Sequence, residues 1–89
     1  MEWRLFADLA QYTDDRDITV DVASDATVRE ALDALLGDYP ALRERVLEDD
    51  AVADHITVLC NGTALAPGEL DRSLDKDDEL ALCPPVSGG

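Results

Sequence analysis

The chain ends in Pro84-Pro85-Val86-Ser87-Gly88-Gly89, and the carboxylate of Gly89 is the group best placed to do chemistry. Pro84 and Pro85 stiffen the exit from whatever precedes them and favour an extended path. Six extended residues reach roughly 20 Å. An acyl group on such an arm enters a partner's active site while the rest of the chain stays outside. Gly88 and Gly89 lack side chains, so the backbone passes through a narrow slot and adopts angles closed to other residues. A free carboxylate is a poor acyl donor because its oxygen is a bad leaving group. It needs activation, most simply adenylation by a partner that uses ATP. The acyl-adenylate is then open to sulfur, giving a thiocarboxylate, or to a thiol, giving a thioester that a lysine amine converts to an isopeptide. In each case this chain supplies the acyl group and the partner supplies catalysis. No cofactor is expected on the chain itself, since the ATP belongs to the partner.

The other chemistry-bearing residues form no constellation. Cys60 and Cys83 are the two cysteines. They make neither a C-x-x-C motif nor a His/Cys zinc set, and free thiols are expected. Cys60 shares parity with Ile56 and Val58, which points it into a core, whereas Cys83 has the opposite parity. His55 stands alone, with no partner at suitable spacing for a base or ligand. The acidic stretch from Asp71 to Glu79 fails the calcium-loop template: Lys76 stands where glycine is needed, and Leu82 where the bidentate glutamate belongs. A solvated turn is expected. Lys76 is the only lysine. With the N-terminal amine, it is the conventional acceptor should this chain be joined to copies of itself. With no nucleophile–base pair, metal set or phosphate loop, independent enzymatic activity is not expected.

The tail must be presented by the elements before it. Trp3, Leu5 and Ala7 alternate with Glu2, Arg4 and Phe6, a strand over residues 2–7. After an acidic turn, Ile18, Val20 and Val22 alternate with Asp17, Thr19 and Asp21, a half-buried strand that would pair antiparallel with the first. Thr27-Val28-Arg29-Glu30 fits a capping box. Behind it Val28, Ala31, Leu32, Leu35 and Leu36 share one helical face, with Gly37 placed to stop the helix. A short second helix over 40–47 presents Leu42, Val46 and Leu47. A strand over 55–60 leads into Asn61-Gly62, a hairpin-turn dipeptide, and a short return at 63–65. Pro67-Gly68 breaks that return. A last strand over 79–83 faces Leu80 and Leu82 inward, and Pro84-Pro85 ends it. The expected fold is α+β: a mixed sheet of four to five strands, with one main helix and a short second helix packed on one face. That is the β-grasp (ubiquitin-like) arrangement. The expected division is a domain over 1–83 and a flexible tail over 84–89.

The chain has 89 residues and a formal charge of −14, so one domain with one small core is expected. A field of that sign repels phosphate backbones, which argues against nucleic-acid binding. No apolar run approaches the roughly 18 to 20 residues of a membrane span. The start, Met1-Glu2-Trp3-Arg4, is unlike a signal peptide, so a cytoplasmic protein is expected, monomeric when free. Aspartates spread along the chain, with one lysine against six arginines, suggest a host with high internal salt, where screening tolerates the self-repulsion.

Over nearly its whole length the chain resembles the small archaeal ubiquitin-like modifier proteins, relatives of the molybdopterin synthase small subunit and the thiamine sulfur carrier. The resemblance rests on Met1-Glu2-Trp3-Arg4-Leu5-Phe6-Ala7, Asp25-Ala26-Thr27-Val28, Ala31-Leu32-Asp33-Ala34-Leu35, His55-Ile56-Thr57-Val58-Leu59 with Asn61-Gly62, Asp77-Asp78-Glu79-Leu80, and the terminal Pro-Pro-Val-Ser-Gly-Gly. It implies activation by a ubiquitin-activating-like adenylating enzyme with Gly89 as the reacting residue. The acyl group then passes to lysines of target proteins, or the thiocarboxylate serves a larger molybdopterin synthase subunit. A dedicated small subunit of molybdopterin synthase acting only as sulfur carrier is the alternative, and a passive binding domain with an idle tail is a third reading. The resemblance also implies an apolar docking patch near the tail, to which Phe6, Leu59, Ala64 and Cys83 contribute by position. Alternation independently turns Phe6 and Leu59 outward. Relatives usually carry phenylalanine at the position of Cys83, a departure that bears on partner choice.

Overall fold

Trp3 joins the two layers of the molecule. Its ring is fully buried and its indole N–H donates to the carbonyl of Ala31, 3.1 Å away, tying the first strand to the main helix. The structure is a computed structural model that describes residues 1–13, 15–49, 51–53, 55–75 and 77–84, with backbone alone at Ala7 and Pro67. Its elements are β1 (Glu2–Leu5), β2 (Asp17–Thr19), α1 (Val28–Asp38), α2 (Pro40–Val46), β3 (Leu47–Glu48), β4 (Ala51–Val52), β5 (Thr57–Cys60), β6 (Thr63–Ala64) and β7 (Glu79–Cys83). Short 3-10 helices lie at Ala7–Tyr12 and Pro67–Glu69.

Five strands form one mixed sheet in the order β2-β1-β7-β5-β6. The central pair, β1 and β7, is parallel, with Trp3 opposite Leu80 and Leu5 opposite Leu82. The other pairings are antiparallel. This is the ubiquitin-like β-grasp arrangement expected from the order of elements. Parallel neighbours need a long crossover, and α1 supplies it across one face of the sheet. Val28, Ala31, Leu32, Leu35 and Leu36, the stripe read from helical spacing, are all buried. They meet Trp3, Leu5, Ile18, Val58, Leu80 and Leu82 in one core.

The capping box forms as expected. The Thr27 hydroxyl accepts from the Glu30 amide at 3.2 Å, and the Glu30 carboxylate accepts from the Thr27 amide at 3.0 Å. Two further amides of the first turn, Val28 and Arg29, donate to the carbonyls of Arg72 and Leu70. The start of α1 is thereby pinned to the segment that leads into β7. Asn61 and Gly62 take φ of 52° and 83°, the left-handed pair that a two-residue hairpin requires.

Several boundaries differ from the sequence reading. β1 ends at Leu5, and Ala7 begins a 3-10 helix instead of continuing the strand. Apolar parity could not show this, because Leu9 inside that helix also reaches the core. β2 stops at Thr19, leaving Val22 beyond it. Gly37 does not stop α1, which runs through to Asp38. The stop comes from Pro40, which disfavours helical angles at the residue before it; Tyr39 sits at φ −132°, ψ 80°. β5 starts at Thr57, two residues after His55. The β3–β4 ribbon was not expected; Asp49 takes a left-handed φ of 54° in its turn.

Candidate functional site

The tail leaves the sheet from its middle. β7 lies between β1 and β5, so the arm begins at the centre of the sheet rather than at an edge. Leu80 and Leu82 anchor the strand with almost no exposure, while Ala81 and Cys83 turn to the face opposite the helices, half-buried. Pro84, where the tail starts, is half-buried. The remaining tail residues assigned to the chemistry, Pro85, Gly88 and Gly89, lie outside the described residues, as does Lys76.

The strand registers bring together the residues expected to dock a partner. Across the outer face, Arg4, Ala81, Leu59 and Ala64 stand in one row on β1, β7, β5 and β6. One step toward the tail, Cys83 stands beside Thr57. Phe6 extends the same ladder, its amide donating to the Leu82 carbonyl at 3.1 Å. Phe6 is 40% exposed, which marks it as one of the two large apolar side chains left open to solvent among the described residues. Leu59 and Cys83 are half-buried and Ala64 is exposed. The expectation of an outward Phe6 and Leu59 thus matches their placement, and β7 adds Ala81. Burial pushes the Cys83 thiol above its ordinary pKa, so it stays protonated and apolar in character at neutral pH. Cys60 faces the core as its parity suggested, and its thiol is also raised, first by burial and then by the Asp78 carboxylate.

A shallow groove runs along this face, lined by Phe6, Leu59, Ala81, Arg4, Glu2 and Glu79, with Asp17 at its side. Its polar half was not singled out from the sequence. The Arg4 guanidinium pairs with Asp17 at 3.1 Å and is held above its ordinary pKa by that hydrogen bond and charge, with smaller help from Glu79 and Glu2. Alternation places Glu2, Arg4 and Phe6 on one face. The neighbour across the strands is set by register, which a single sequence does not show.

Two expectations gain detail. His55 is a surface residue, and Arg45 lies 3.0 Å from its Nε2 and 3.8 Å from Asp8. The acidic turn before β7 is organised rather than merely solvated. Asp78 accepts from the Asp75 amide and from the Asn61 side-chain amide, both at 2.8 Å, and is held below its ordinary pKa by those bonds. Asn61 in turn accepts from the Glu79 amide at 3.0 Å. The β5–β6 turn is thus fastened to the first residue of β7. Among the described residues no group of three or more metal-ligating side chains converges, and no helix is long and apolar enough to cross a membrane.

The likeness to known proteins agrees with this architecture. Residues 3–89 match the model of the ThiS family. The chain is 58% identical to small archaeal modifier protein 1 of Haloferax volcanii, with both chains covered in full. It is 34% identical to small archaeal modifier protein 3 of the same organism, over all of this chain and 98% of that one. The crystal structure of small archaeal modifier protein 1 from Haloferax volcanii superposes with a TM-score of 0.87 at 56% identity, covering 99% of this chain and 97% of that one. The sheet with a C-terminal strand at its centre, the apolar outer face and a family match that reaches Gly89 agree with one another, and the chain belongs to the ThiS family, as a homologue of the ubiquitin-like small archaeal modifier protein 1.

Proposed function

We propose that this chain is a ubiquitin-like protein modifier, joined through the Gly89 carboxyl to lysines of target proteins, and that the same carboxyl carries sulfur. The observation that supports this reading best is the full-length identity to a small archaeal modifier protein, with a family match running through Gly88 and Gly89. The Gly89 carboxylate attacks the α-phosphate of ATP in a ubiquitin-activating-like adenylating partner, and pyrophosphate leaves. A sulfur nucleophile then displaces AMP. If the sulfur is a partner's thiol, the thioester is open to a target lysine, which expels the thiol and leaves an isopeptide bond. If it is a partner's persulfide, an acyl disulfide forms; a second thiol of the partner then attacks the partner's own sulfur, breaking the S–S bond, so that the thiocarboxylate leaves on Gly89 and a disulfide stays on the partner. Phe6, Leu59 and Cys83 dock the partner, and Pro84, Pro85 and Gly88 thread the tail. ATP is the partner's substrate, and the chain holds no cofactor of its own.

Membership in the ThiS family favours a second reading, in which the chain serves only as the sulfur-carrying small subunit of a molybdopterin synthase. Both readings share the acyl-adenylate and part only at the acceptor. Deletion of Gly88 and Gly89 tests the first. Higher-mass conjugates of an epitope-tagged chain should vanish from cells; conjugates that persist unchanged would overturn the modifier role. Loss of molybdoenzyme activity on deletion, with no conjugates in the wild type, would favour the second reading.

A further inference from the structure

Two acids face each other on the outer sheet surface, neither with a hydrogen-bonded or ion-paired partner of its own among the described residues. Glu2 on β1 and Glu79 on β7 are register partners in the parallel pair, which places their backbones roughly 4.8 Å apart. Both side chains are exposed and line the same groove as Phe6, Leu59 and Ala81. Like charges side by side across strands are destabilising. The guanidinium that shares their groove, Arg4, is engaged by Asp17 at 3.1 Å and interacts more weakly with Glu79 and Glu2. Among the described residues, the carboxylates of Glu2 and Glu79 have no hydrogen-bond or ion-pair partner of their own. Three carboxylates and one guanidinium therefore leave this end of the groove negative.

The groove is polarised along the strands. Its apolar end, at Phe6, lies beside the last residues of β7, where the tail begins. Its acidic end lies four residues back along β1, roughly 13 Å away. We propose that Glu2 and Glu79 form the rear anchor of the docking face and receive an arginine of the adenylating partner, while that partner's apolar surface covers Phe6 and Leu59. The proposal rests on the function argued above and adds the chemistry of the partner's contact. An arginine suits the site better than a lysine. Its planar fork spans two acceptors on neighbouring strands, and its weaker hydration eases burial beside Leu59 and Ala81. Two contacts of different chemistry, separated along the strand, fix the direction of the domain. With one contact alone, the tail would enter the partner at no defined angle.

The test is ATP–pyrophosphate exchange by the purified adenylating enzyme with full-length carrier as the varied substrate. Glu2→Gln with Glu79→Gln should raise the KM for the carrier about tenfold with kcat nearly unchanged, since a rim charge acts on encounter and binding. The increase should shrink as salt rises. The same variant should melt at or above the wild-type temperature, because a like-charge neighbour pair has been removed; weaker docking on an equally stable fold separates this role from a structural one. Glu2→Asp with Glu79→Asp should restore most of the KM. Asp33→Asn with Glu44→Gln, equal in charge but on the helices, should leave it unchanged. An unchanged KM in the first variant, or an equal rise in the helix control, would overturn the proposal while leaving the function standing. No exchange with the wild type would overturn both.

Discussion

Asp78 shows what a single residue in the acidic turn does. Its carboxylate receives the Asp75 amide and the Asn61 side chain, and so holds the β5–β6 turn against the start of β7. Asp78→Ala removes both bonds and should lower stability by about 1 kcal/mol in chemical denaturation at neutral pH. The hydrogen bonds depress its pKa, so its contribution is complete above the ordinary carboxylate range and fades as pH falls through the folded-state value. The difference between wild type and variant should therefore narrow in acid; a difference that is constant with pH would show that the carboxylate is not the group at work. Little of this was legible beforehand. Aspartates in a charged run look alike in sequence, and only the fold shows which one finds an amide. His55 teaches the same lesson: its neighbour Arg45 is ten residues away on another element. By contrast, the inward Cys60 and outward Cys83 followed from parity alone, because a strand has only two faces.

At the scale of elements, α1 was the most legible because its signals are local and agree. The box of Thr27 and Glu30 starts it, and five apolar residues at helical spacing bury one face. Thr27→Ala should cost about 1 kcal/mol, read as a lower denaturation midpoint with an unchanged slope. An unaltered midpoint would mean that the Arg72 and Leu70 carbonyls suffice to satisfy the first turn. The end of α1 was misplaced because glycine permits a stop without compelling one, whereas Pro40 constrains Tyr39 directly. The 3-10 helix at Ala7–Tyr12 escaped notice for a related reason. Its residues continue an alternation that breaks only when the chain turns over the edge of the core. Short ribbons such as β3–β4 carry too few residues for any period to show.

For the whole molecule, order of elements sufficed to reach the β-grasp arrangement, since a first and last strand joined through a helix have few other ways to bury their apolar faces. Register did not follow from order, and register is what assembles the proposed docking face: Leu59 on β5, Ala81 and Cys83 on β7, and Phe6 just past β1, with Glu2 and Glu79 behind them. The strand that carries the tail is the central one, clamped on both sides, so a pull on the tail is resisted by two ladders at once. A charge of −14 surrounds this face and sets the terms on which a partner approaches, favouring basic surfaces and discouraging acidic ones. On the proposed function, the domain presents and orients an acyl group that a partner activates. That claim is tested most directly at Gly89 itself. The protein is purified from its host under non-reducing conditions, and the mass of the C-terminal peptide is measured in free and conjugated fractions. The conjugates should carry an isopeptide from Gly89 to target lysines, and part of the free pool should carry a sulfur in place of one carboxylate oxygen. A Gly89 that is always an unmodified carboxylate, in cells where the pathway is active, would contradict the claim.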